Sequence, residues 1–376
     1  MRVVVAPDKF KGSLTAVQAA EAIGAGVRDA APQARVRLCP VADGGEGTLD
    51  VLLAAGGRRV DLRVSGPLSE PVAAWYVALD GTAYVESARA CGIEYVSPSP
   101  PVALAAHSYG VGELIGHALD DGARTIVLTV GGTASTDGGA GMLRALGATV
   151  HDAAGAPVEF GGGPLRAVEN VELSPVYKRI GDVAVRVAAD VANPLLGREG
   201  AAAVFGPQKG AGTREVEALE ASLRAWADAL VRAGGIPLGD TPGAGAGGGF
   251  AGGAMAALLA HAGSGFGLVA RLTGLADSLR DADLVITGEG SLDQQSLAGK
   301  APAGVAAMAR DLGVPVVAVA GRITLSRTQL ARAGIGAARA LADHAPSIEY
   351  AQRHAHALLR SQSAALIRAF AAARGG

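Results

Sequence analysis

Two rhythms of apolar and polar positions divide the chain. Residues 2–6, Arg-Val-Val-Val-Ala, read as a buried strand that Pro7 closes. Thr15 and Gln18 fit a capping box, and Ala16, Ala20, Ile23 and Val27 then recur at helical spacing as far as Pro32. A strand at 35–38 runs into Ala42-Asp43-Gly44-Gly45-Glu46-Gly47-Thr48, and a short helix follows, stopped by Gly56-Gly57. Strand, helix, strand, helix predicts a βαβ unit in a parallel sheet. Near Gly66-Pro67 the rhythm changes. Apolar runs at 73–79 and 82–87 flank Asp80-Gly81, a two-residue hairpin signal. A helix is expected over 102–119, a strand at 125–130, a strand at 183–188 and a long amphipathic helix from about 214 to 232. Residues 151–182 show no clear period. Parallel rhythm returns near Asp283, with strands at 284–287, 314–320 and 338–341, a helix after Pro302 and a closing helix. The expected fold class is α/β with two domains. One is a doubly wound parallel-sheet domain, Rossmann- or flavodoxin-like, built from residues 1–65 and 283–376. The other is an inserted mixed α/β domain, 66–282, with Gly-rich ligand loops.

Composition narrows the chemistry. With 376 residues, 49% hydrophobic but only 4% aromatic, the cores must be built from Ala, Val, Leu and Ile. A net charge of −2 gives no footprint for nucleic acid or an anionic membrane. The 55 glycines far exceed the usual share of about 7% and cluster between apolar segments, as tight turns or ligand-approaching loops do. Cys39 and Cys91 lack metal-type spacing and read as free thiols in a reducing compartment. No apolar run reaches about 18 residues, and residues 1–6 are too short for a signal h-region. The expectation is a cytoplasmic protein, monomer or homodimer, acting on small molecules.

The chain centres on residues 131–142, Gly-Gly-Thr-Ala-Ser-Thr-Asp-Gly-Gly-Ala-Gly-Met, between the strand at 125–130 and a helix at 141–146. Strand, glycine turn and helix can aim backbone N–H groups and a helix N-terminus at an anion. Neither a Walker A pattern nor a complete dinucleotide fingerprint is present, and no His or Cys spacing suggests zinc. His107, His117 and His151 are scattered and read as surface residues. What remains is carboxylates (Asp43, Asp137, Asp190, Glu289, Asp293) and lysines (Lys9, Lys11, Lys209, Lys300) near strand ends and glycine turns. Phosphoryl transfer uses this mixture: cations and N–H groups neutralise phosphate, carboxylates hold Mg²⁺, and one carboxylate takes the hydroxyl proton. Arg89 suits a bidentate clamp on a substrate carboxylate, or an ion pair with Glu86.

Seven ordered segments resemble the bacterial glycerate kinases that phosphorylate the 2-hydroxyl. They are residues 6–14 (Ala-Pro-Asp-Lys-Phe-Lys-Gly-Ser-Leu), 43–48 (Asp-Gly-Gly-Glu-Gly-Thr), 86–89 (Glu-Ser-Ala-Arg), 131–142, Asp190 with Asn193-Pro194, 205–211, and 287–290 (Thr-Gly-Glu-Gly). The resemblance implies ATP-dependent conversion of D-glycerate to 2-phosphoglycerate with Mg²⁺, in a cleft between two α/β domains. On that reading Asp190 is the first choice of base, Asp43 the second, and Lys9 serves catalysis. Arg89, Gly131, Gly132, Thr133, Ser135, Thr136 and Asp137 bind glycerate. Lys209, Gly245, Gly247, Gly248, Gly288, Glu289 and Lys300 lie at the nucleotide, and Glu289 with Asp293 holds Mg²⁺. A kinase for another small hydroxy acid, or a non-catalytic glycerate or nucleotide sensor, stays open at this point.

Overall fold

The computed structural model describes residues 1–297 and 300–375. In chain order its strands are β1 (Arg2–Pro7), β2 (Arg35–Leu38), β3 (Arg58–Ser65), β4 (Pro71–Leu79), β5 (Thr82–Glu86), β6 (Thr125–Thr129), β7 (Thr149–His151), β8 (Asn170–Glu172), β9 (Ala184–Ala188), β10 (His261–Gly263), β11 (Leu284–Leu292), β12 (Val316–Ile323) and β13 (Ile335–Ala340). The chain divides into two compact units. The first joins Met1–Asp43, Asp50–Ala55 and Gly265–Gly376; the second joins Gly44–Leu49 and Gly56–Ser264.

The first unit carries a parallel sheet in the order β13-β12-β11-β1-β2. Numbered within that sheet the order is 2-1-3-4-5, the flavodoxin-like winding, and it reverses direction between β1 and β11. Alternate residues supply two cores, as a strand period of two requires. Val3, Val5, Ile286 and Val319 pack with Ile23 and Val27 of the helix Ala16–Ala30 and with Leu359 and Ile367 of the helix Ala355–Gly375. On the opposite face Val4, Ala6, Val285 and Ala318 meet Phe266, Leu275, Val305 and Ala306. The capping box is present: Gln18 N donates to Thr15 Oγ1 at 3.2 Å and Thr15 N to Gln18 Oε1 at 3.0 Å.

The second unit has a mixed sheet in the order β10-β9-β6-β5-β4-β3. β3, β4 and β5 are antiparallel, while β5, β6, β9 and β10 run parallel. Asp80 and Gly81 turn the β4–β5 hairpin with φ of 49° and 74°, the double positive φ of a type I′ turn. Its core includes Tyr76, Ile115, Leu128, Met142, Trp226 and Phe250 among many alanines and valines.

Three features differ from the sequence reading. β3 pairs with β4 from Arg58↔Ala78 to Ser65↔Pro71, so it belongs to the second unit, and the first unit resumes at Gly265 rather than 283. The helix expected over 102–119 is two helices, Pro100–Ala105 and Tyr109–Asp120. At the break His107 donates its backbone N–H to Pro67 O at 2.9 Å. His107 is also buried, against the surface placement expected of it, because its ring sits 2.9 Å from Ser69 Oγ and stacks near Phe160. Residues 151–182, unreadable by period, hold β8 and a helix at Ser174–Ile180.

Candidate active site

The carboxyl ends of β5, β6 and β9, three neighbouring parallel strands, carry the predicted groups of the second unit. β5 ends at Glu86 and leads to Arg89. β6 leads into the glycine loop, and Asp190 lies two residues beyond β9, half-buried.

The glycine loop departs from its expected chemistry. The helix after it, Ala140–Ala145, is six residues long, and its first amides are already taken. Asp137 Oδ2 accepts from Ser108 N and Ser108 Oγ at 2.8 Å each and from Gly141 N at 3.0 Å. Its Oδ1 accepts from Gly139 N at 3.2 Å, and Ser108 Oγ accepts from Met142 N at 3.0 Å. Fully buried and surrounded by donors, Asp137 caps the start of this helix and accepts four hydrogen bonds from the protein. Ser108, absent from the sequence-derived site, is its partner. Its signal, a Ser directly before a helix start, was hidden by the assumption of one unbroken helix.

The anion-binding capacity that remains lies earlier in the loop. The N–H groups of Gly131, Gly132, Thr133, Ser135 and Thr136 donate to no acceptor among the described residues. Ile93 N donates to Gly132 O at 2.9 Å and Ala134 N to Cys91 O at 2.7 Å, which fixes the loop against residues 91–93. Gly132 is exposed and Gly131 half-exposed, whereas Thr133, Ser135 and Thr136 are buried. The Thr136 hydroxyl has no hydrogen-bond partner among the described residues, and that of Ser135 lies 4.0 Å from Cys91 Sγ. Burial pushes the Cys91 thiol up to about 12, so it stays neutral.

Arg89 Nε donates to Glu86 Oε2 at 3.1 Å, and the guanidinium sits 4.7 Å from the Trp75 ring centroid. The ion pair with Glu86 therefore exists, and it occupies one edge of the fork. Lys209, expected at the nucleotide, is only 3% exposed; its ammonium donates to Ser135 O and, at 3.3 Å, to Thr133 Oγ1. Gly245 and Gly248, expected there too, are buried, and only Gly247 is half-exposed. Gly248 has φ +74°, and a Cβ on it would collide with the Ser135 carbonyl; one on Gly245 would collide with Pro194 O. These two glycines let one backbone approach another.

In the first unit the switch point between β1 and β11 is lined by acids. Asp8 directly follows β1 and is 4% exposed; its Oδ1 accepts from Lys9 N at 2.6 Å, and Lys9 Nζ lies 3.9 Å from the same atom. Burial raises its carboxyl to about 7 against the pull of Lys9, with Asp43 and Glu289 pushing the same way as burial. Asp8 was missed by sequence reasoning, although it is the first polar residue beyond a central parallel strand. Glu289 lies within β11, 7% exposed, and burial raises its carboxyl; Ser296 and Lys300 oppose the shift, while Asp293 and Asp43 add to it. Its Oε1 is buried with no hydrogen-bond partner among the described residues. Asp293 is turned into its own loop, where Oδ1 accepts from Gln295 N at 2.9 Å and Ser296 N at 3.3 Å. Gly288 is an interior sheet position, since a Cβ there would strike Val319 O. Lys300 precedes the helix Ala301–Asp311.

A divalent cation fits Glu289. An acceptor-only oxygen buried without a donor is what a cation satisfies. Among the described residues no three His, Cys, Asp or Glu groups are arranged to hold a metal ion. Mg²⁺ commonly takes one or two carboxylates and completes its shell with phosphate and water. Among the described residues no helix is long and apolar enough to cross a membrane.

Comparison with known proteins gives a consistent answer. Residues 3–371 match the model of the glycerate kinase family. The chain is 44% identical over 327 residues to the glycerate 2-kinase of Escherichia coli, covering 86% of each, and 42% identical over 358 residues to the glycerate kinase of Bacillus subtilis, covering 94% of each. A crystal structure assigned to a glycerate kinase 2 from Salmonella typhimurium superposes with a TM-score of 0.88 at 38% identity, over the whole of both chains. The chain belongs to the glycerate kinase family.

Proposed function

We propose that the protein transfers the γ-phosphoryl group of ATP to the 2-hydroxyl of D-glycerate, with Mg²⁺. The observation that carries this reading is Arg89. It follows the carboxyl end of β5, where Glu86 Oε2 accepts from its Nε at 3.1 Å and the Trp75 ring centroid lies 4.7 Å from its guanidinium. Such a group suits a small carboxylate held bidentately. Gly131, Gly132 and Thr133 add N–H donors. Asp190 accepts the proton of the glycerate hydroxyl as its oxygen bonds to the γ-phosphorus. The bond from that phosphorus to the bridging oxygen breaks, and ADP leaves with the electron pair. A carboxylate base needs no raised pKa here, because positioning and charge neutralisation carry most of the rate. In the first unit Lys9 and Lys300 would face phosphate charge, and Glu289 would hold Mg²⁺. Bound Mg²⁺ would neutralise phosphate oxygens; Asp43 stands in reserve as a second base or metal ligand.

ADP release with D-glycerate tests the reading, with product coupled to enolase in the presence and absence of phosphoglycerate mutase. Enolase signal without mutase is expected. Signal only with mutase would assign the 3-hydroxyl, and no ADP release would overturn the function. Asp190→Asn should lower kcat at least a hundredfold; near-normal turnover would move the base to Asp43.

A further inference from the structure

Lys209 is a cation enclosed by its own protein. It leaves a short turn (Pro207–Lys209) whose next residue, Gly210, has φ +98° and packs on the backbone of Ser99. Its ammonium reaches the Ser135 carbonyl and the Thr133 hydroxyl, at the base of the loop in which the amides of Gly131, Gly132, Thr133, Ser135 and Thr136 have no acceptor among the described residues. Gly248 closes the site from the other side, since a Cβ there would touch both Lys209 Nζ and Ser135 O. Burying an ammonium is costly, and burial pulls this one down to about 8 while the Asp137 carboxylate opposes the shift. A methionine would fill the same volume without that cost but would leave the Ser135 carbonyl and the Thr133 hydroxyl without this donor.

We infer that Lys209 is a positioning residue for glycerate binding, and that it acts by fixing the peptide planes of the loop 131–137. The inference rests on the proposed function and deepens it. In a trans peptide the C=O of one residue and the N–H of the next point in opposite directions. Holding Ser135 O on the ammonium therefore turns the Thr136 N–H away from Lys209. The hydrogen bond from Ile93 to Gly132 O turns the Thr133 N–H away in the same manner. Donors so fixed cost no reorganisation when an anion arrives. Lys209 touches neither glycerate nor nucleotide in this account; it sets what the loop presents.

The test compares wild type, Lys209→Met and Lys209→Gln. D-Glycerate affinity is measured calorimetrically without nucleotide, KM and kcat by ADP release, and folding by circular dichroism. Lys209→Met should raise the glycerate Kd and KM at least tenfold while kcat falls less than threefold. Lys209→Gln keeps one donor for a carbonyl and should fall between. A loss of active fraction, with kcat reduced and KM unchanged, would mean a structural role only and overturn the inference, as would a Kd within twofold of wild type. If Lys209→Met does not fold, Lys209→Gln decides by the same twofold limit. Wild type that neither binds D-glycerate nor releases ADP would instead sink the proposed function.

Discussion

Asp137 in the second unit and Glu289 in the first look alike in sequence. Each stands in a Thr- and Gly-bearing stretch, Asp137 in the loop beyond β6 and Glu289 within β11, and each is almost fully buried. Their surroundings are opposite. Asp137 accepts four hydrogen bonds and organises the loop it sits in. Glu289 Oε1 is buried with no hydrogen-bond partner among the described residues, and burial raises its carboxyl against the hydrogen bond with Ser296. A saturated carboxylate has no capacity left for a ligand, whereas an unsatisfied one is a standing cost that a ligand can remove. Motif resemblance cannot separate the two; the donors around them do.

The sharpest way to break this contrast is to remove both charges. Asp137→Ala would leave Ser108, Gly139 and Gly141 donors buried and unmet, at a cost of about 3–5 kcal/mol. Urea unfolding should show it, with activity lost along with the fold. Glu289→Gln should do the reverse: stability within about 1 kcal/mol of wild type, because a buried charge is relieved, but kcat/KM down by a hundredfold or more. An Asp137→Ala protein as stable as wild type, or a Glu289→Gln protein with normal turnover, would erase the distinction.

Asp8 sharpens the contrast through pH. Its folded carboxyl is raised to about 7 from an ordinary 3.8. A raised value means that the folded state holds the proton more tightly than the unfolded chain. The associated stability is complete below about 3.8 and is lost as pH rises through about 7. Asp8→Asn cannot ionise. In EDTA its melting temperature should match wild type near pH 4 and exceed it by about 3 °C or more at pH 8. Equal melting temperatures at both pH values would show that Asp8 is not raised in the fold.

Much of the fold was legible because period and punctuation are local signals. The Thr15–Gln18 box, the Asp80-Gly81 hairpin and the run at 2–6 each specify their structure within a few residues. The assignment of β3 was not legible, since its partner is fixed by pairing with β4 and not by its own pattern. Site residues were legible as types and places in the chain, but not as roles. Lys209 reads as a nucleotide-facing loop lysine until the Ser135 carbonyl is seen on its ammonium. Gly245 and Gly248 read as ligand glycines until the backbones of Pro194 and Ser135 are seen against them. Asp8 was overlooked because burial, the property that marks it, depends on the neighbouring strand β11 and not on the residues beside it in sequence.

The smallest expected effect concerns Trp75, which no motif singled out. Its ring lies 4.7 Å from the Arg89 guanidinium and 4.5 Å from that of Arg59, and it is 7% exposed on β4. Stacking and the Glu86 ion pair restrain the same guanidinium from two directions, and cation–π attraction at a partly exposed site is worth about 0.5–1 kcal/mol. Trp75→Leu keeps an apolar filler and removes only the ring face. If Arg89 binds the glycerate carboxylate, KM for D-glycerate should rise about two- to fivefold, as that energy allows, with kcat little changed. Arg89→Lys should raise KM far more, by tenfold or beyond, since a lysine cannot keep the fork that spans Glu86 and a carboxylate. A Trp75→Leu effect confined to melting temperature would reduce the stack to packing and leave Glu86 alone to orient Arg89.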